Sequence, residues 1–456
     1  MCAGVFIATA IWLTSSWWGS HAGQTASSSG TKAAPATGLS GDGLIVHEWG
    51  TFTSFSGSDG VRLEFRPLAD EDLPPFVLDR FLQSGVSNPF AKSQIRVRMR
   101  METPVTYFYT NRERDVNVRV SFPDGLLTEF YPPVTRMEPS YKLGEQLPLE
   151  RSSLDWGRIH LIPLDRLQAH VDDSVRRQLL ESMLQNRLTP YADARYHYGH
   201  ARETDSALVH VHRPKPEPNQ PTLAPTGDFF EKFLFYRGVG NFDLPLKLTA
   251  TSDSRFELSN FGRDPIRSLF LIDTDGQAVR FTAFEQISGK AHTRLTQTGK
   301  ATSVDVLVDA VKDALIEAGL YEKEATAMVN TWRSSWFGEA GTRLLYILPR
   351  SVTDAVLPLT ISPQPQQTVR VLVGRMEIMT PEHELRVAAL VKSSYAKRQT
   401  ANASGQGPSY SGPKELASLG RLAEPALARV RTISKDPEIR AEAAALLQQM
   451  VGTSGR

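Results

Sequence analysis

The sequence has very little cysteine: Cys2 is the only one among 456 residues. This scarcity excludes a disulfide framework, a cluster of thiolate metal ligands and a cysteine nucleophile from the body of the chain. It also suits an oxidising compartment, where an unpaired thiol is a chemical liability. The chemistry of the protein must therefore rest on other residue types.

An excess of charge of one sign is also lacking. Lys and Arg total 51 and Asp and Glu total 50, which gives a net charge of +1. No overall field therefore favours nucleic acid or an anionic membrane as a partner. Hydrophobic residues at 41% and charged residues at 22% are typical of a soluble globular protein with a substantial core.

The common catalytic motifs are missing as well. The chain contains no G-x-S-x-G nucleophile elbow, no G-x-x-x-x-G-K-[ST] phosphate loop, no G-x-G-x-x-G fingerprint and no H-E-x-x-H zinc motif. These absences favour a binding or structural role over the enzyme classes that such motifs mark.

The one long apolar run lies at the N-terminus and predicts a secretory signal. Residues 5–18 are too short to span a bilayer well, and small residues at Ser20 and Ala22 predict cleavage after Ala22, so that residues 1–22 form the signal peptide. No Lys or Arg precedes this run, so retention as an N-terminal anchor stays open. Residues 23–42, rich in Ser, Thr, Gly and Ala, predict a disordered tether. We expect a secreted or periplasmic protein that, once cleaved, contains no thiol and no membrane span.

The remaining sequence predicts a mainly β fold with α-helical insertions. Short runs with period-two alternation, such as QIRVRMRM, favour antiparallel sheets packed as an immunoglobulin-like β-sandwich. We divide the chain into a β-rich portion with one helix (43–212), a proline-rich loop (213–227), a sandwich portion with a helical insertion (228–395), a linker (396–413) and a helical hairpin (414–452). The hairpin resembles a single HEAT-type repeat, which must pack on the main body or on a partner.

Local patterns locate several hairpins and helix ends. SGSDG predicts a turn after LIVHEWGTFTSF, Asp275 and Gly276 predict a two-residue turn, and PVTYFYT with VNVRVSF predicts a further hairpin. Helices are predicted over residues 173–187, over 303–337 with Gly319 ending the first of two, and from Thr380 as N-cap.

Four of the ten histidines fall within the stretch YHYGHARETDSALVHVH. His210 and His212 are one strand period apart, so their imidazoles share a face and could chelate zinc or copper; His197, His200 and His47 could add ligands if the chain turns back. The alternative is that the intervening valines face the core and the histidines face water. The sequence leaves both open.

Charged residues embedded in apolar strands form a second group of candidates. Charges within strands usually face solvent, and this is the interpretation we favour. If they instead converge in one cleft, the carboxylates could act as acid or base while Arg237 or Arg375 holds an anionic substrate. The catalytic candidates are Glu48, Glu102, Arg237 and Glu377.

A stripe of arginines forms a third candidate. Arg96, Arg98 and Arg100 alternate with apolar residues and could meet Arg119 on a neighbouring strand. Such a cationic sheet face would suit an acidic polysaccharide or a phosphate. The alternative is a solvated face with acidic cross-strand partners.

Several phrases resemble an uncharacterised family of secreted bacterial proteins. They are VHEWGTFTSFSGSDG, RMETPVTYFYT, FPDGLLTEFYP, ARETD, EKFLFYRGVGNFDLP, LPRSVTDAVLPLTISPQP and VRVLVGRMEIMTP, spread over about residues 46 to 381. The resemblance implies a compartment and an architecture but no mechanism. Within the ARETD phrase Arg202 and Asp205 join Arg237 and Arg375 as candidate ligand-binding residues.

The sequence thus predicts a binding or structural module of the cell envelope, for a glycan or a protein partner. The alternative is a hydrolase, metal-assisted through the histidines or dependent on the embedded carboxylates. A pocket that gathers Glu48, Glu102, Arg237 and Glu377 would favour catalysis over simple binding.

Overall fold

A computed structural model describes residues 43–68, 73–83, 92, 94–139, 148–163, 197–215, 225–403, 416 and 419–453. The predicted signal peptide, tether and helix over 173–187 lie outside the described residues, as does most of the proline-rich loop. Within the described ranges no helix is both long and apolar enough to cross a bilayer.

The protein is mainly β, and its centre is one large mixed sheet. The sheet runs in the order β17-β15-β14-β18-β20-β1-β4-β11-β6-β3, with β2 paired to β1. Its strands are β1 (Leu44–Ser56), β2 (Arg62–Leu63), β3 (Leu78–Asp79), β4 (Met99–Thr110), β6 (Gly125–Tyr131), β11 (Leu234–Gly240), β14 (Ile266–Thr274), β15 (Val279–Ile287), β17 (Ala301–Thr302), β18 (Gly341–Ile347) and β20 (Gln367–Ile378).

The pairing inside this sheet departs from the predicted antiparallel architecture. The strand β1 pairs in parallel with β20, from Ile45 opposite Gln367 to Ser56 opposite Ile378, so the sheet is mixed. The connection between these strands runs through most of the chain, which gives the long crossover that a parallel pair requires. The sheet also draws strands from both sides of the proline-rich stretch, since β4 and β11 are neighbours.

Two smaller sheets pack with the large one. One has the order β10-β9-β8-β5-β19 with β7 paired to β8, and the other has the order β12-β13-β16. A single apolar core contains side chains from all three sheets, including Trp49, Val118 and Leu258. The strands are β5 (Arg114–Phe122), β7 (Arg136–Glu138), β8 (Ser152–Ile162), β9 (Leu208–Arg213), β10 (Gly227–Glu231), β12 (Leu246–Ala250), β13 (Arg255–Asn260), β16 (His292–Thr296) and β19 (Leu359–Ser362).

The predicted hairpins have mixed outcomes. The turn at SGSDG is confirmed by Phe55 opposite Leu63. The Asp275 turn joins β14 to β15 but is longer than predicted, because the last pair is Thr274 and Val279. The hairpin of β4 with β5 is wrong: both edges of β4 are taken by β1 and β11, and β5 pairs with β8 and β19 in another sheet.

The helices begin and end largely where the sequence predicts. Gly319, at φ +112°, ends the first helix of the predicted pair, and Thr380 accepts a hydrogen bond from the His383 amide at the start of the helix that follows β20. This helix continues to Ala403, into the segment predicted as a linker. The helices are α1 (Arg80–Gln83), α2 (Val304–Glu317), α3 (Glu322–Trp332), α4 (Arg350–Val356), α5 (Pro381–Ala403), α6 (Ala423–Ile433) and α7 (Pro437–Thr453).

The C-terminal helices pack on the main body. A second apolar cluster joins Phe55, Phe65 and Met379 from the sheet side to Leu427 of α6 and Leu446 of α7. Ion pairs reinforce the contact: the Arg429 Nε of α6 lies 2.7 Å from the Glu384 carboxylate of α5. Helices and sheet thus enclose the space between them.

The pairing of β1 with β4 contains an irregularity next to Glu102. Trp49 is opposite Val105 and Thr51 is opposite Glu102, so Gly50 alone faces both Thr103 and Pro104. This is a β-bulge, and Thr103 adopts a left-handed φ of +48° within it. A Cβ on Gly50 would lie 2.9 Å from the Pro104 Cα, so only glycine fits opposite the bulge.

We expect Gly50→Ala to destabilise the protein by about 1–3 kcal/mol, because the added methyl group overpacks rigid backbone. The shift in the urea unfolding midpoint measures this effect. Gly338→Ala is the matched control, since a Cβ there would meet nothing closer than the Arg333 carbonyl oxygen at 4.0 Å. Equal midpoints for the two variants would contradict the close contact at Pro104.

Candidate functional site

A cavity of about 430 Å³ lies between the large sheet and the C-terminal helices. Its volume is within the range of small-molecule sites. Residues of β1, β4, β18 and β20 form one wall, and the segment leading into α6 forms the other. The lining residues that are not charged are Thr53, Phe55, Phe65, Pro67, Ala340, Leu419, Gly420, Leu422 and Met450.

Half of the cavity lining is charged. The charged residues belong to only two types, arginine and glutamate, and so can form planar two-pronged pairs. They are Arg66, Arg100, Arg343, Arg375, Arg421, Glu102, Glu339, Glu377 and Glu424.

Strand register brings the sheet residues to one face. Arg375 on β20 is opposite Thr53 on β1, which is opposite Arg100 on β4, so the three side chains form one cross-strand row. In the adjacent row Arg343 on β18 is opposite Glu377 on β20. Because side chains alternate along a strand, Arg375 and Glu377 emerge on the same side.

Hydrogen bonds lock these side chains together. Glu377 Oε1 accepts from Arg343 Nε at 2.8 Å and from Arg375 Nε at 2.6 Å. The other two nitrogens of Arg343 donate to the Trp336 and Glu339 carbonyls, both at 2.6 Å. Every nitrogen of the Arg343 guanidinium therefore has a partner, and we infer that its role is to hold Glu377 in place.

The C-terminal segment closes the network from the other side. Arg421 lies in a short 3-10 helix just before α6 (Gly420–Leu422). Its Nη1 donates to Glu102 Oε1 at 2.9 Å and its Nε donates to Glu339 Oε1 at 3.2 Å. Glu424 of α6 accepts from Arg66 Nε at 2.8 Å. The two walls are thus joined by ion pairs across the cavity.

Two guanidinium groups keep an open donor. Arg375 uses Nε for Glu377 and Nη2 for Glu339, the latter at 2.9 Å, yet its Nη1 has no hydrogen-bond partner. Arg66 Nη1 likewise has none. The residues are 2% and 7% exposed, so these N–H groups are screened from bulk water. A buried donor without a partner costs free energy until something satisfies it.

The arginines keep the carboxylates ionised. Burial by itself would raise the pKa of Glu102, but Arg421, Arg100 and Arg375 bring that pKa below the usual 4.5. The pKa of Glu377 is likewise lowered, because Arg343 and Arg375 outweigh its burial. The ionised carboxylates of Glu102 and Glu377 accept hydrogen bonds and have no proton to donate near neutral pH.

The embedded charges are not exposed, contrary to the interpretation we favoured. Glu48, Glu102, Arg237 and Glu377 are all buried, because the large sheet is covered on both faces. Of these four, only Glu102 and Glu377 line the cavity. The single pocket that would gather all four is therefore not formed.

The other two residues sit in separate buried pairs. Glu48 Oε2 accepts from Arg370 Nε at 2.6 Å, and its Oε1 is hydrogen-bonded to the Tyr236 hydroxyl. Arg237 Nε donates to Glu129 Oε2 at 2.8 Å. Burial opposes ionisation of Glu129, yet Arg237 and a nearby lysine lower its pKa to about 2. Both pairs hold strands together within the core.

The candidate ligand-binding residues do not lie together either. Arg375 lines the cavity, but Arg202 donates from Nη2 to the buried Glu231 at 2.6 Å. Asp205 lies 2.6 Å from Lys323 of α3. These last two pairs belong to the region around the 3-10 helix His197–Arg202, away from the cavity lining.

The histidine stretch follows the predicted alternation. Val209 and Val211 are fully buried, while His210 Nε2 and His212 Nδ1 both lie within 2.9 Å of Asp228 Oδ1. His200 Nδ1 is 3.3 Å from Glu203 Oε1, and the side chain of His197 lies outside the described part of the structure. Among the described residues, no group of three or more His, Cys, Asp or Glu side chains is placed to hold a metal ion. Zinc or copper binding stays a prediction of the sequence.

The arginine stripe does not form a continuous face. Arg100 lies in the cavity, whereas Arg96 approaches Glu424 at 3.4 Å and Arg98 donates to the Asn241 carbonyl at 3.2 Å. Arg119 is on β5 in another sheet and pairs with Glu138 at 3.0 Å. The stripe is divided because residues 96 and 98 precede β4.

Sequence reasoning missed five residues of the network. Arg66 and Arg343 resemble Glu102 in being charges inside an apolar stretch, and that signal could have found them. Glu339 and Arg421 lie in connecting segments and Glu424 lies in the first turn of a helix, where a charge is ordinary.

Comparison with known proteins adds no assignment. No family model and no curated protein matches this chain. Among solved structures, the yeast delta-COP-I mu-homology domain matches at 7% identity with a TM-score of 0.25, over 75% of this chain and 100% of that chain. The Fcho1 mu homology domain of Danio rerio with bound Eps15 peptide matches at 7% identity with a TM-score of 0.24, over 74% and 94%. Scores this low support no inference, so the site is interpreted from its own geometry.

We expect Glu377→Gln to lower the free energy of unfolding at neutral pH by about 3–5 kcal/mol, because Arg343 and Arg375 lose a buried counter-charge. Denaturant unfolding measures the loss. Glu257→Gln is the control: its partner Arg294 is 85% exposed and 3.6 Å away, so the change should stay within about 0.5 kcal/mol. Similar losses in both variants would contradict the importance of the buried network.

The lowered carboxyl pKa values predict acid sensitivity. A group whose pKa is depressed in the folded state contributes stability above its unfolded pKa, about 4.5 for Glu, and loses it as the pH falls through the folded pKa. Wild-type stability should therefore fall below about pH 4.5. In Glu102→Gln this fall should be shallower, because one such group is gone. Parallel pH profiles of unfolding free energy for the two proteins would contradict the assignment.

Proposed function

We propose that the protein is a non-catalytic ligand-binding module of the cell envelope, and that the cavity between the large sheet and the C-terminal helices is its binding site. The observation that carries the proposal is a cavity lined by more arginines than glutamates, in which Arg375 and Arg66 each have a buried N–H group without a partner. Most buried donors in native proteins are hydrogen-bonded, so each exception calls for an explanation, and an absent ligand is one. Unpartnered buried donors also occur outside the cavity lining, as at Arg370 Nη2, so it is their combination with the arginine excess that supports a binding site.

The size of the cavity limits what it holds. About 430 Å³ accommodates one part of a glycan or one segment of a protein partner rather than a long chain. Rigid positioning suits binding as well, because Arg375 and Arg421 are already fixed by carboxylates before a ligand arrives.

The hydrolase alternative gains no support from the cavity carboxylates. A general acid needs a pKa raised toward the working pH, whereas the pKa values of Glu102, Glu339 and Glu377 are lowered. Each of them also has at least one oxygen engaged by arginine. A metal-assisted hydrolase would depend on the histidine stretch, whose metal content elemental analysis of the untagged protein would test.

Other parts of the proposal rest on the sequence. The N-terminal signal supports a secreted or periplasmic location, and the shared phrases support membership of the uncharacterised secreted family. The immunoglobulin-like description of the sheets and the HEAT-like description of α6 and α7 are likewise proposals. Packing of α6 and α7 on the main body supports a role for this hairpin in completing the cavity.

The binding site is tested by filling the cavity. We expect Ala340→Trp to occupy it and to abolish the thermal stabilisation that wild type gains from members of a panel of sugars, short peptides, organic acids and alcohols. Val306→Trp, at a 51% exposed position of α2, controls for the added indole. A panel that stabilises wild type and Ala340→Trp equally, or stabilises neither, would sink the proposal.

A further inference from the structure

We propose that the ligand of this cavity carries one oxyanion, a carboxylate or a phosphate, attached to an apolar body, and that Arg375 and Arg66 bind the oxyanion. The inference rests on the binding function proposed above and narrows its substrate class. It depends on the open donors, the charge balance and the apolar part of the lining.

The donors come first. Arg375 Nη1 and Arg66 Nη1 are buried without partners, while Nε and Nη2 of Arg375 donate to Glu377 and Glu339 at 2.6 and 2.9 Å. A guanidinium N–H group is a donor, so its partner must be a hydrogen-bond acceptor, and an anionic oxygen is the strongest one. Both residues line the cavity, so an oxyanion bound there is the partner that we assign to them.

The charge balance points the same way. Five arginines and four glutamates line the cavity, so cationic side chains outnumber acidic ones by one. Arg96 adds to the excess, because it lies 3.4 Å from Glu424, which also pairs with Arg66. A neutral ligand would leave this charge uncompensated in a partly desolvated site, whereas one anionic group balances it.

The rest of the lining selects an apolar body. Phenylalanine, proline, leucine and methionine side chains form an apolar surface. Such a surface favours contact with the apolar part of a ligand over contact with a hydroxyl-rich molecule. These residues are Phe55, Phe65, Pro67, Leu419, Leu422 and Met450. A free inorganic anion would pair with the arginines but would not contact this apolar surface. A neutral sugar would neither neutralise the arginines nor match the apolar surface.

Calorimetric titration with hexanoate, hexyl phosphate and hexanol separates these contributions. We expect one or both anions to bind wild type, with an affinity that falls as salt is added, and hexanol to bind at least about tenfold more weakly. The stronger of the two anions identifies the oxyanion. Hexanol binding as tightly as the anions would overturn the inference.

Arginine variants assign the binding groups. Arg66→Met and Arg375→Met should each weaken anion binding about tenfold to a hundredfold, as expected for a lost hydrogen bond to a charged group. Arg119→Met, which removes an exposed arginine outside the cavity, should bind as wild type does. Because Arg375→Met also removes a partner of Glu377, Arg375→Lys is measured with it; lysine keeps the charge but not the planar fork. Unchanged anion affinity in Arg66→Met and Arg375→Lys would overturn the assignment.

Ala340→Trp separates the two proposals. If the anions fail to bind but neutral compounds stabilise wild type and not Ala340→Trp, the oxyanion inference falls and the binding site stands. If no compound distinguishes wild type from Ala340→Trp, both fall. Anion binding that is lost in Ala340→Trp and kept in Val306→Trp supports both.

Discussion

Buried pairing of guanidinium with carboxylate is the interaction on which this structure depends. The large sheet is covered on both faces, so charged side chains within its strands cannot reach water and persist only with a partner. Three such pairs face each other across neighbouring strands of this sheet: Glu48 with Arg370, Glu129 with Arg237 and Glu377 with Arg343. A fourth pair, Glu231 with Arg202, joins strand β10 of a smaller sheet to the 3-10 helix His197–Arg202.

The cavity is where arginines outnumber their carboxylate partners. Five arginines and four glutamates line it, and Arg375 Nη1 and Arg66 Nη1 have no hydrogen-bond partner. The bulge at Gly50 lies beside Glu102, and Arg421 reaches Glu102 from the opposite wall. Buried donors without a partner also occur elsewhere among the described residues, as at Arg370 Nη2, so it is their combination with an excess of arginine around a cavity that we attribute to a missing ligand.

Much of the local structure could be predicted from the sequence. The alternation around His210, the turn after β1, the glycine that ends α2 and the cap at Thr380 depend on neighbouring residues, and the structure confirms them. The parallel pairing of β1 with β20 and the separation of β4 from β5 depend on which strands occupy each edge of the sheet. Local patterns contain no information on that choice.

At the site, too, some residues could be predicted from their neighbours in the sequence, and others only from contacts between distant segments. Glu102, Arg375 and Glu377 could be found because a charge within an apolar strand is unusual, although the sequence could not show that both faces of the strand are covered. Arg421 could not be found, since it lies 319 positions from Glu102 in a connecting segment. The apolar anchoring of α6 and α7 on the sheet brings it there, and that contact arises only in the folded chain.

The central claim is that the open guanidinium groups of Arg375 and Arg66 receive an oxyanion. The most direct measurement is proton–nitrogen correlation NMR of protein with isotopically labelled arginine, assigned by single substitutions and titrated with hexanoate. The account predicts that the side-chain N–H resonances of Arg375 and Arg66 shift and become protected from exchange with water, while those of Arg343, whose three nitrogens all have protein partners, stay in place. Resonances of Arg375 and Arg66 that do not move at saturating hexanoate would contradict it.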